Sequence, residues 1–383
     1  MVTQRTLERA AYIAFILAVL VLPLLVGDFW LNRLAKFLVY GMLGIAVSLC
    51  WGYAGILNLG QGLFFGAGAY MLAMSLKLAS ATSLQQGSDQ PVPDFMLWNA
   101  EPGAPTDLCC INPGSFLWLP FKSEAFGIGM GVLVPVVIAL LLGSVVFRKR
   151  IAGVFVSVIT LALVLLVRLV VIDAQPITNG FNGLTDLGTF TIGGLAFDSY
   201  AHVTYYLVAG LLIVSLLGGR LLVETRAGLI LQAIRDDQSR ARYLGFDVAA
   251  YQVFFFTVSA AISAIAGMLY VIVAQFASPT FMDLSFSITM VVWAALGGRG
   301  SLLGACIGAI LINIVAAGVS ETEAFVEAWK AIIGLVFVLV VLYLPRGLAG
   351  LGQDLAEAIA ARAERRRKTA ESAVLRTAEG RQP

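Results

Sequence analysis

The sequence has few of the residues that bind metals, perform nucleophilic catalysis or contact nucleic acids. It contains one histidine, four cysteines and only 13% charged residues, with a formal net charge of +2. Cys50 and Cys306 lie in apolar runs, whereas Cys109 and Cys110 are adjacent in a polar insert, so their spacing matches no zinc site. We therefore expect no metal and no cofactor in this chain. A net charge near zero gives no indication of nucleic-acid binding, and no nucleic-acid partner is predicted.

Catalytic motifs are absent as well. There is no Gly-x-x-x-x-Gly-Lys-Ser/Thr phosphate-binding loop, so the chain is not expected to hydrolyse ATP by that route. The single histidine, His202, stands at the start of an apolar run, where an interfacial position is the ordinary interpretation. No residue combination indicates metal-assisted hydrolysis or covalent catalysis, and an enzyme is not predicted.

Long apolar runs, in contrast, are abundant. Hydrophobic residues make up 59% of the 383 residues, which exceeds the share in soluble globular domains. Many runs approach 20 residues, the length at which an α-helix crosses about 30 Å of hydrocarbon. The sequence therefore predicts an all-α polytopic membrane protein with about ten transmembrane helices. We place them near residues 10–27, 34–54, 60–79, 124–147, 152–172, 203–222, 251–273, 286–297, 301–319 and 328–345.

Lysine and arginine are unevenly distributed, which predicts the orientation in the membrane. They collect at Arg148–Arg150, in five arginines between Arg220 and Arg242, and at Arg365–Lys368. Residues 80–121 and 173–202 contain neither. By the positive-inside rule the basic segments are cytoplasmic and the other two periplasmic. Both termini are then cytoplasmic, and the first apolar run, which lacks a cleavage site, is an uncleaved span in a bacterial inner membrane.

The chain divides into a transmembrane domain, residues 1–350, and a basic cytoplasmic tail, residues 351–383. The tail is expected to contact anionic membrane lipid. Within the domain, residues 80–122 form a Pro-, Gly- and Asp-containing periplasmic insert, and residues 224–250 form a cytoplasmic loop. The insert has two open interpretations: part of a docking surface for a solute-binding protein, or an insertion without function.

Two Gly-rich stretches interrupt apolar runs, one in each half of the chain. Residues 52–70 and 297–308 each combine a break with small residues four positions apart. Such spacing lets helices approach closely, and non-helical backbone at membrane depth occurs only inside protein or along a cavity. We expect two internal repeats with broken helices, packed through Gly62, Gly66, Gly300, Gly304 and Gly308.

The loop around residues 224–247 carries too many charges to lie in lipid. Ala233, Ile234, Ala241 and Leu244 recur at helical spacing, and Gly245 follows in the position of a C-cap. These features predict a short amphipathic helix from Ala233 to Gly245 that faces water and binds a partner. The alternative is an ordinary basic loop.

The run Ala233-Ile-Arg-Asp-Asp, followed by Gly245, resembles the coupling loop of ABC-importer permeases of the branched-chain amino acid and urea class. The resemblance extends over residues 38–350 and implies a permease fold of the type II ABC importers. It implies that the loop is seated in a groove on an ATPase subunit. It also implies three kinds of partner: two ATPase subunits that bind ATP and Mg²⁺, a second homologous permease and a periplasmic solute-binding protein. The coupling residues would be Ala233, Ile234, Arg235, Asp236, Asp237, Ala241 and Gly245.

Two further segments are similar to the urea permeases of this class rather than to its leucine, isoleucine and valine permeases. They are Asn182-Gly-Leu-Thr-Asp186 and Pro93-Asp-Phe-Met96. Urea is neutral, with amide donors and one carbonyl acceptor, so Asn and Gln side chains are suitable partners. The predicted translocation path contains Asn58, Gln61, Asn179, Asn182 and Gln275.

The residues themselves leave alternative functions open. A branched-chain amino acid or short-amide permease would share the coupling loop. A secondary carrier would keep carboxylates inside its spans, and none lies at a span centre here. An ATP-independent urea channel would need few polar residues but would leave the coupling loop without a role. The prediction is thus an importer permease whose solute is a small neutral molecule, with urea favoured by resemblance.

Overall fold

Apolar helices make up most of the computed structural model, which describes residues 2–81, 83–84, 91–93, 119–151, 153–320, 334–335, 338 and 347–350. The longer helices in chain order are α1 Val2–Val21, α2 Asp28–Val47, α3 Gln61–Ala79, α4 Glu124–Arg148, α5 Val154–Asp173, α6 His202–Glu224, α7 Arg226–Asp236, α8 Gln238–Tyr243, α9 Val248–Ala274, α10 Leu284–Gly297 and α11 Leu302–Ser320. Two antiparallel pairs of short strands accompany them: β1 Ser83–Leu84 with β2 Pro91–Val92, and β3 Phe190–Ile192 with β4 Leu195–Phe197.

The all-helical polytopic fold predicted from the sequence is confirmed. Among the described residues, seven helices are long and apolar enough to cross a membrane: α2 with its extension to Tyr53, α3, α4, α5, α6, α9 and α11. The predicted eighth span is α10, a shorter apolar helix, and the predicted first span overlaps α1, which begins earlier than expected. The predicted span 328–345, the tail 351–383 and most of the insert 80–122 lie outside the described residues, so a count of ten spans stays a prediction.

Three helices form the centre of the bundle. In the most apolar stretch of α2 and α9, 78% of residues are buried, and in α3 the share is 89%, whereas α4, α5 and α6 reach only 22–33%. The central helices are hydrophobic on all sides because protein surrounds them, and the outer helices expose apolar faces suited to lipid. Local signals fix the limits of α9: the Asp247 side chain accepts from the N–H of Ala250 at its start, and Gln275 adopts the left-handed conformation after its end.

The two ends of the bundle differ in structure. One end, here called the α7 end, carries α7 and α8. The other, here called the hairpin end, carries β3 and β4. At the hairpin end Leu184 and Ala277 exchange two backbone hydrogen bonds of 2.7 and 2.8 Å. There the buried Asn32 amide also donates to the carbonyl oxygens of Ser199 and Val273 at 2.8 and 2.9 Å. The hairpin end therefore joins α2, α6 and α9 through polar contacts.

Close backbone contact between α3 and α9 generates a test of this packing. A β-carbon at Gly267 would collide with the carbonyl oxygen of Phe65, whereas one at Gly210 in α6 would meet open space. Gly267→Ala should therefore lower thermal stability in detergent, with overpacking costing roughly 1–3 kcal/mol. Gly210→Ala is the matched control, since it is also helical and should be neutral or stabilising by up to about 1 kcal/mol. Equal melting temperatures for the two variants would contradict the packing described here.

Candidate functional site

The first helix break follows α2. The helix continues as a π-helical turn, Ser48–Tyr53, and the chain then runs without helix to Gln61, where α3 begins. Gly55 has φ +69°, a backbone conformation that side chains disfavour. The break is inside protein, because Ala54, Ile56 and Asn58 are all buried. Such π-helical turns are found frequently at functional sites.

Hydrogen bonds from side chains satisfy the polar groups of this break. The Asn58 amide donates to Gln61 Oε1 at 2.6 Å, and Asn58 Oδ1 accepts from the N–H of Gly60 at 2.8 Å. Gln61 Nε2 in turn lies 2.9 Å from Ser259 Oγ and 2.5 Å from Ser263 Oγ, both on α9. Asn58 and Gln61, predicted to line the path, thus lie together, with their amide groups occupied by protein partners. Their part in translocation stays a prediction.

Helix α5 contacts the same break from the other side, through two residues that were not predicted from the sequence. The Ser157 hydroxyl donates to the carbonyl oxygen of Leu57 at 2.7 Å, and Thr160 Oγ1 accepts from the N–H of Leu59 at 3.2 Å. These two hydroxyls are buried on a helix that is otherwise apolar apart from Arg168 and Asp173. Their spacing of three residues, which places both on one helix face, is the signal that could have identified them.

The second break, between α10 and α11, lies directly against the first. Gly298 has φ +106°, and α11 begins at Leu302. The Ser48 hydroxyl donates to the carbonyl oxygen of Arg299 at 2.9 Å, and the Tyr53 hydroxyl donates to that of Gly300 at 3.0 Å. The Arg299 guanidinium lies over the Trp51 ring, 5.2 Å from its centre. The two breaks therefore form one unit at the α7 end.

Four of the five glycines predicted to pack helices lie in close contacts. Gly62 and Gly66 face the Pro279–Met282 turn, and Gly304 and Gly308 approach Gly297 of α10. Gly300 differs from the prediction, because a β-carbon there would meet nothing within 4 Å. Its contribution is the carbonyl oxygen that accepts from Tyr53. A spacing of four from Gly304 suggested helix packing, but Gly300 precedes α11 and is not part of a helix.

The polar loop at the α7 end folds as two helices, so the predicted single helix from Ala233 to Gly245 is wrong. Asp237 has an extended backbone, with φ −155°, and separates α7 from α8. Its carboxylate accepts from the N–H groups of Arg240 at 3.0 Å and Ser239 at 2.9 Å, and these contacts lower the pKa of Asp237. Gly245, with φ +87°, follows α8 as the chain turns toward α9. The acidic pair Asp236–Asp237 therefore contains a helix N-cap.

The two faces of this loop differ in their packing. Ile234 and Ala241 are buried against Val248 of the same chain, with Ile230 and Tyr251 beside them. These contacts anchor the loop to α9, and the predicted role of both residues in coupling to an ATPase stays a prediction. Ala233, in contrast, is exposed. It belongs to an apolar groove of about 250 Å³ between α7 and α8, lined by Leu229, Ile230, Ala233, Asp237, Arg240, Ala241, Leu244 and Phe246.

Arg235 connects the loop to the first break. One guanidinium nitrogen donates to the carbonyl oxygen of Gly52 at 2.7 Å, while another lies 3.2 Å from the Asp236 carboxylate. Its aliphatic stem packs against Gly55, where a β-carbon would come within 2.7 Å of Arg235 Cγ. The loop, the first break and the second break are therefore in continuous contact.

Comparison with known proteins identifies the family. The family model described as "Branched-chain amino acid transport system / permease component" matches residues 29–341, most of the chain. The chain belongs to this family. It is therefore a multi-pass membrane permease, and the breaks and the loop described above all lie within the matched region.

Relatives of the permease bear names that refer to different solutes. It is 27% identical to the high-affinity branched-chain amino acid transport system permease protein LivM of Salmonella typhimurium, over 87% of this chain and 74% of the relative. It is 25% identical to the ribose import permease protein RbsC of Haemophilus influenzae, over 45% of this chain and 54% of the relative. No solved structure matches the chain. Membership of the family thus gives the role of permease but leaves the solute open.

The remaining path candidates lie at the hairpin end of the permease, away from Asn58 and Gln61. Asn179 has φ +61° and donates to the carbonyl oxygen of Gly183 at 2.6 Å. Gln275 donates to the carbonyl oxygen of Ile272 at 3.1 Å, and Asn182 is exposed. The Leu184–Ala277 pair brings these two segments together. The five candidates therefore form two groups at different ends of the bundle.

One ion pair lies between these groups. The Arg168 guanidinium of α5 contacts the carboxylate of Asp283, the residue that precedes α10. Both side chains are partly exposed, at 26% and 31%. Charged residues within membrane spans are costly unless paired, so this pair is a polar position on an apolar helix.

Proposed function

We propose that this chain is the permease subunit of an ATP-driven ABC importer in the bacterial inner membrane, and that its solute is urea. The observation that carries the proposal is the groove between α7 and α8, which is exposed and apolar at the polar end of a membrane protein. Such a surface is suited to a protein partner. The direct contact between this loop and the first helix break, which in turn contacts the second break, supports a role in transmitting movement into the membrane domain.

The proposed partner at the groove is an ATPase subunit that inserts a bulky apolar side chain. A cavity of about 150 Å³ can hold benzene, and the groove, at about 250 Å³, is large enough for a side chain of that size. Asp237 and Arg240 border it and offer charges of both signs to the rim of the interface. Two ATPase subunits would hold ATP and Mg²⁺, and this chain would hold neither.

The proposed assembly has further members. A second homologous permease would complete the membrane domain, and a periplasmic solute-binding protein would deliver the solute at the hairpin end. This orientation follows the charge distribution: the α7 end carries the arginines of α7 and α8, while residues 173–202 contain no lysine or arginine. The apolar outer faces of α4, α5 and α6 would face lipid or the second permease.

Urea as solute is supported by neutral amide side chains and by the two sequence segments that resemble urea permeases. Asn179, Asn182 and Gln275 lie together at the proposed entrance and can donate to a carbonyl oxygen or accept from an amide. A branched-chain amino acid is the second candidate. The Arg168–Asp283 pair favours it, because an amino acid carries a carboxylate and an ammonium group that match these charges.

Uptake measurements test the proposed function. Proteoliposomes containing the permease with its companion subunits should accumulate labelled urea at low concentration only when ATP is supplied inside and the binding protein outside. Leucine should not compete. Competition by leucine, with labelled leucine itself accumulated, would move the assignment to the amino-acid candidate. Urea flux that is independent of ATP and of the other subunits would contradict the importer proposal and indicate a channel.

Substitutions in the loop test the docking surface. Ala233→Asp places a charge in the apolar groove and should weaken ATPase binding by on the order of 2–5 kcal/mol. Arg242→Ala removes a charge whose described contact is a 3.3 Å bond to Gln238 Oε1 in its own helix, so it should cost about 1 kcal/mol or less. Co-purification of the ATPase, normalised to permease in the membrane, checks both. Full retention of the ATPase by Ala233→Asp would show that the groove is not the docking surface.

A further inference from the structure

We infer that Arg235 connects the loop formed by α7 and α8 to the two helix breaks of the membrane domain. Its hydrogen bond to Gly52 makes both breaks follow the movement of α7. This inference rests on the proposed importer function and assigns a positioning role that the docking surface alone does not explain. Arg235 contacts neither solute nor nucleotide in this account. It acts through the carbonyl oxygen of Gly52.

The contact is strong and specific for chemical reasons. Gly52 lies in the last turn of the π-helical segment Ser48–Tyr53, where carbonyl oxygens lack partners further along a helix. A cation at this position is favoured by the helix dipole, and the bond from Arg235, at 2.7 Å, is charge-assisted. Gly55 allows the close approach, since any larger residue would displace the Arg235 stem. The sequence of the break therefore accommodates this one side chain.

Gly52 in turn contacts the second break. The α-carbon of Gly52 packs directly against the carbonyl group of Arg299, the same group that accepts from Ser48. Tyr53 holds the adjacent Gly300 carbonyl oxygen. A displacement of Arg235 thus reaches α3 through residues 54–60 and α11 through residues 299–301. The buried side chains Ile234 and Ala241 tie the loop to α9 instead, which is a continuous helix and offers no hinge.

Loss of Arg235 should uncouple hydrolysis from transport. In the reconstituted complex, Arg235→Ala should retain bound ATPase and its hydrolysis rate, while urea accumulated per ATP falls roughly tenfold or more, the loss expected for a charge-assisted hydrogen bond. Arg226→Ala is the matched control, because Arg226 is an exposed arginine at the other end of the same helix. It should leave the ratio unchanged. A misfolded variant would fail to retain the ATPase. A fall in urea accumulated per ATP with the ATPase still bound therefore indicates loss of the positioning role and not loss of folding.

A disulfide between positions 55 and 235 gives a second test. If Arg235 had a purely structural role, forming this disulfide would not restore coupling. A β-carbon at Gly55 would lie 3.4 Å from Arg235 Cβ, close to the spacing of a disulfide. In a background with Cys109 and Cys110 replaced by serine, Gly55→Cys combined with Arg235→Cys should be uncoupled when reduced, and its reduced and oxidised forms carry the same backbone strain of a side chain at φ +69°. Oxidation should restore urea accumulated per ATP, and reduction should abolish it again.

The outcomes distinguish this inference from the proposed function. If wild-type complex shows no ATP-dependent uptake, the importer proposal itself fails. If wild-type uptake depends on ATP and Arg235→Ala transports the same amount per ATP, the link through Arg235 is wrong while the importer proposal stands. Cross-linked protein that remains as uncoupled as the reduced form would overturn the link in the same way.

Discussion

The structure depends on one constraint: non-helical backbone buried inside a membrane domain must find its hydrogen bonds in protein. Between Tyr53 and Gln61 the chain is buried or half-buried except at Gly55, and neighbouring helices supply several of its hydrogen-bond partners. Ser157 and Thr160 come from α5, whereas Ser259 and Ser263 come from α9 and reach the break through Gln61. These hydrogen bonds fix where the break lies, although no helix spans residues 54–60. Under the proposed importer function, this break is where the bundle of helices would change shape.

This constraint explains why the polar residues of the permease lie where they do. The hydroxyls of Ser157, Thr160, Ser259 and Ser263 lie at the first break, and the second break places its own carbonyl oxygens against Ser48 and Tyr53. Among the charged residues of α7 and α8, Arg235 is the one with a described hydrogen bond to a helix break. Asp237, in contrast, caps α8. Polar contacts thus concentrate where movement would be transmitted.

The spans and the two breaks could be predicted from the sequence. The features that could not be predicted depend on contacts that apolar spacing does not show. Apolar runs predicted the spans because helix length must match the bilayer, and glycine clusters predicted both breaks. Residues 233–245 looked like a single helix because their apolar spacing is regular. However, the Asp237 side chain caps α8, so α7 ends at Asp236 despite the regular apolar spacing. The bond from Arg235 to Gly52 joins residues 183 positions apart, and no local pattern could reveal it. The same holds for the ion pair of Arg168 with Asp283, which joins residues 115 positions apart.

We propose that the loop formed by α7 and α8 moves as one unit with the two breaks. Hydrogen–deuterium exchange of the assembled complex tests this movement most directly, comparing the nucleotide-free state with the state trapped by ATP and vanadate. Amide exchange should change together in three segments: residues 226–243, 52–60 and 297–301. A change confined to residues 226–243, with both breaks exchanging as before, would contradict it.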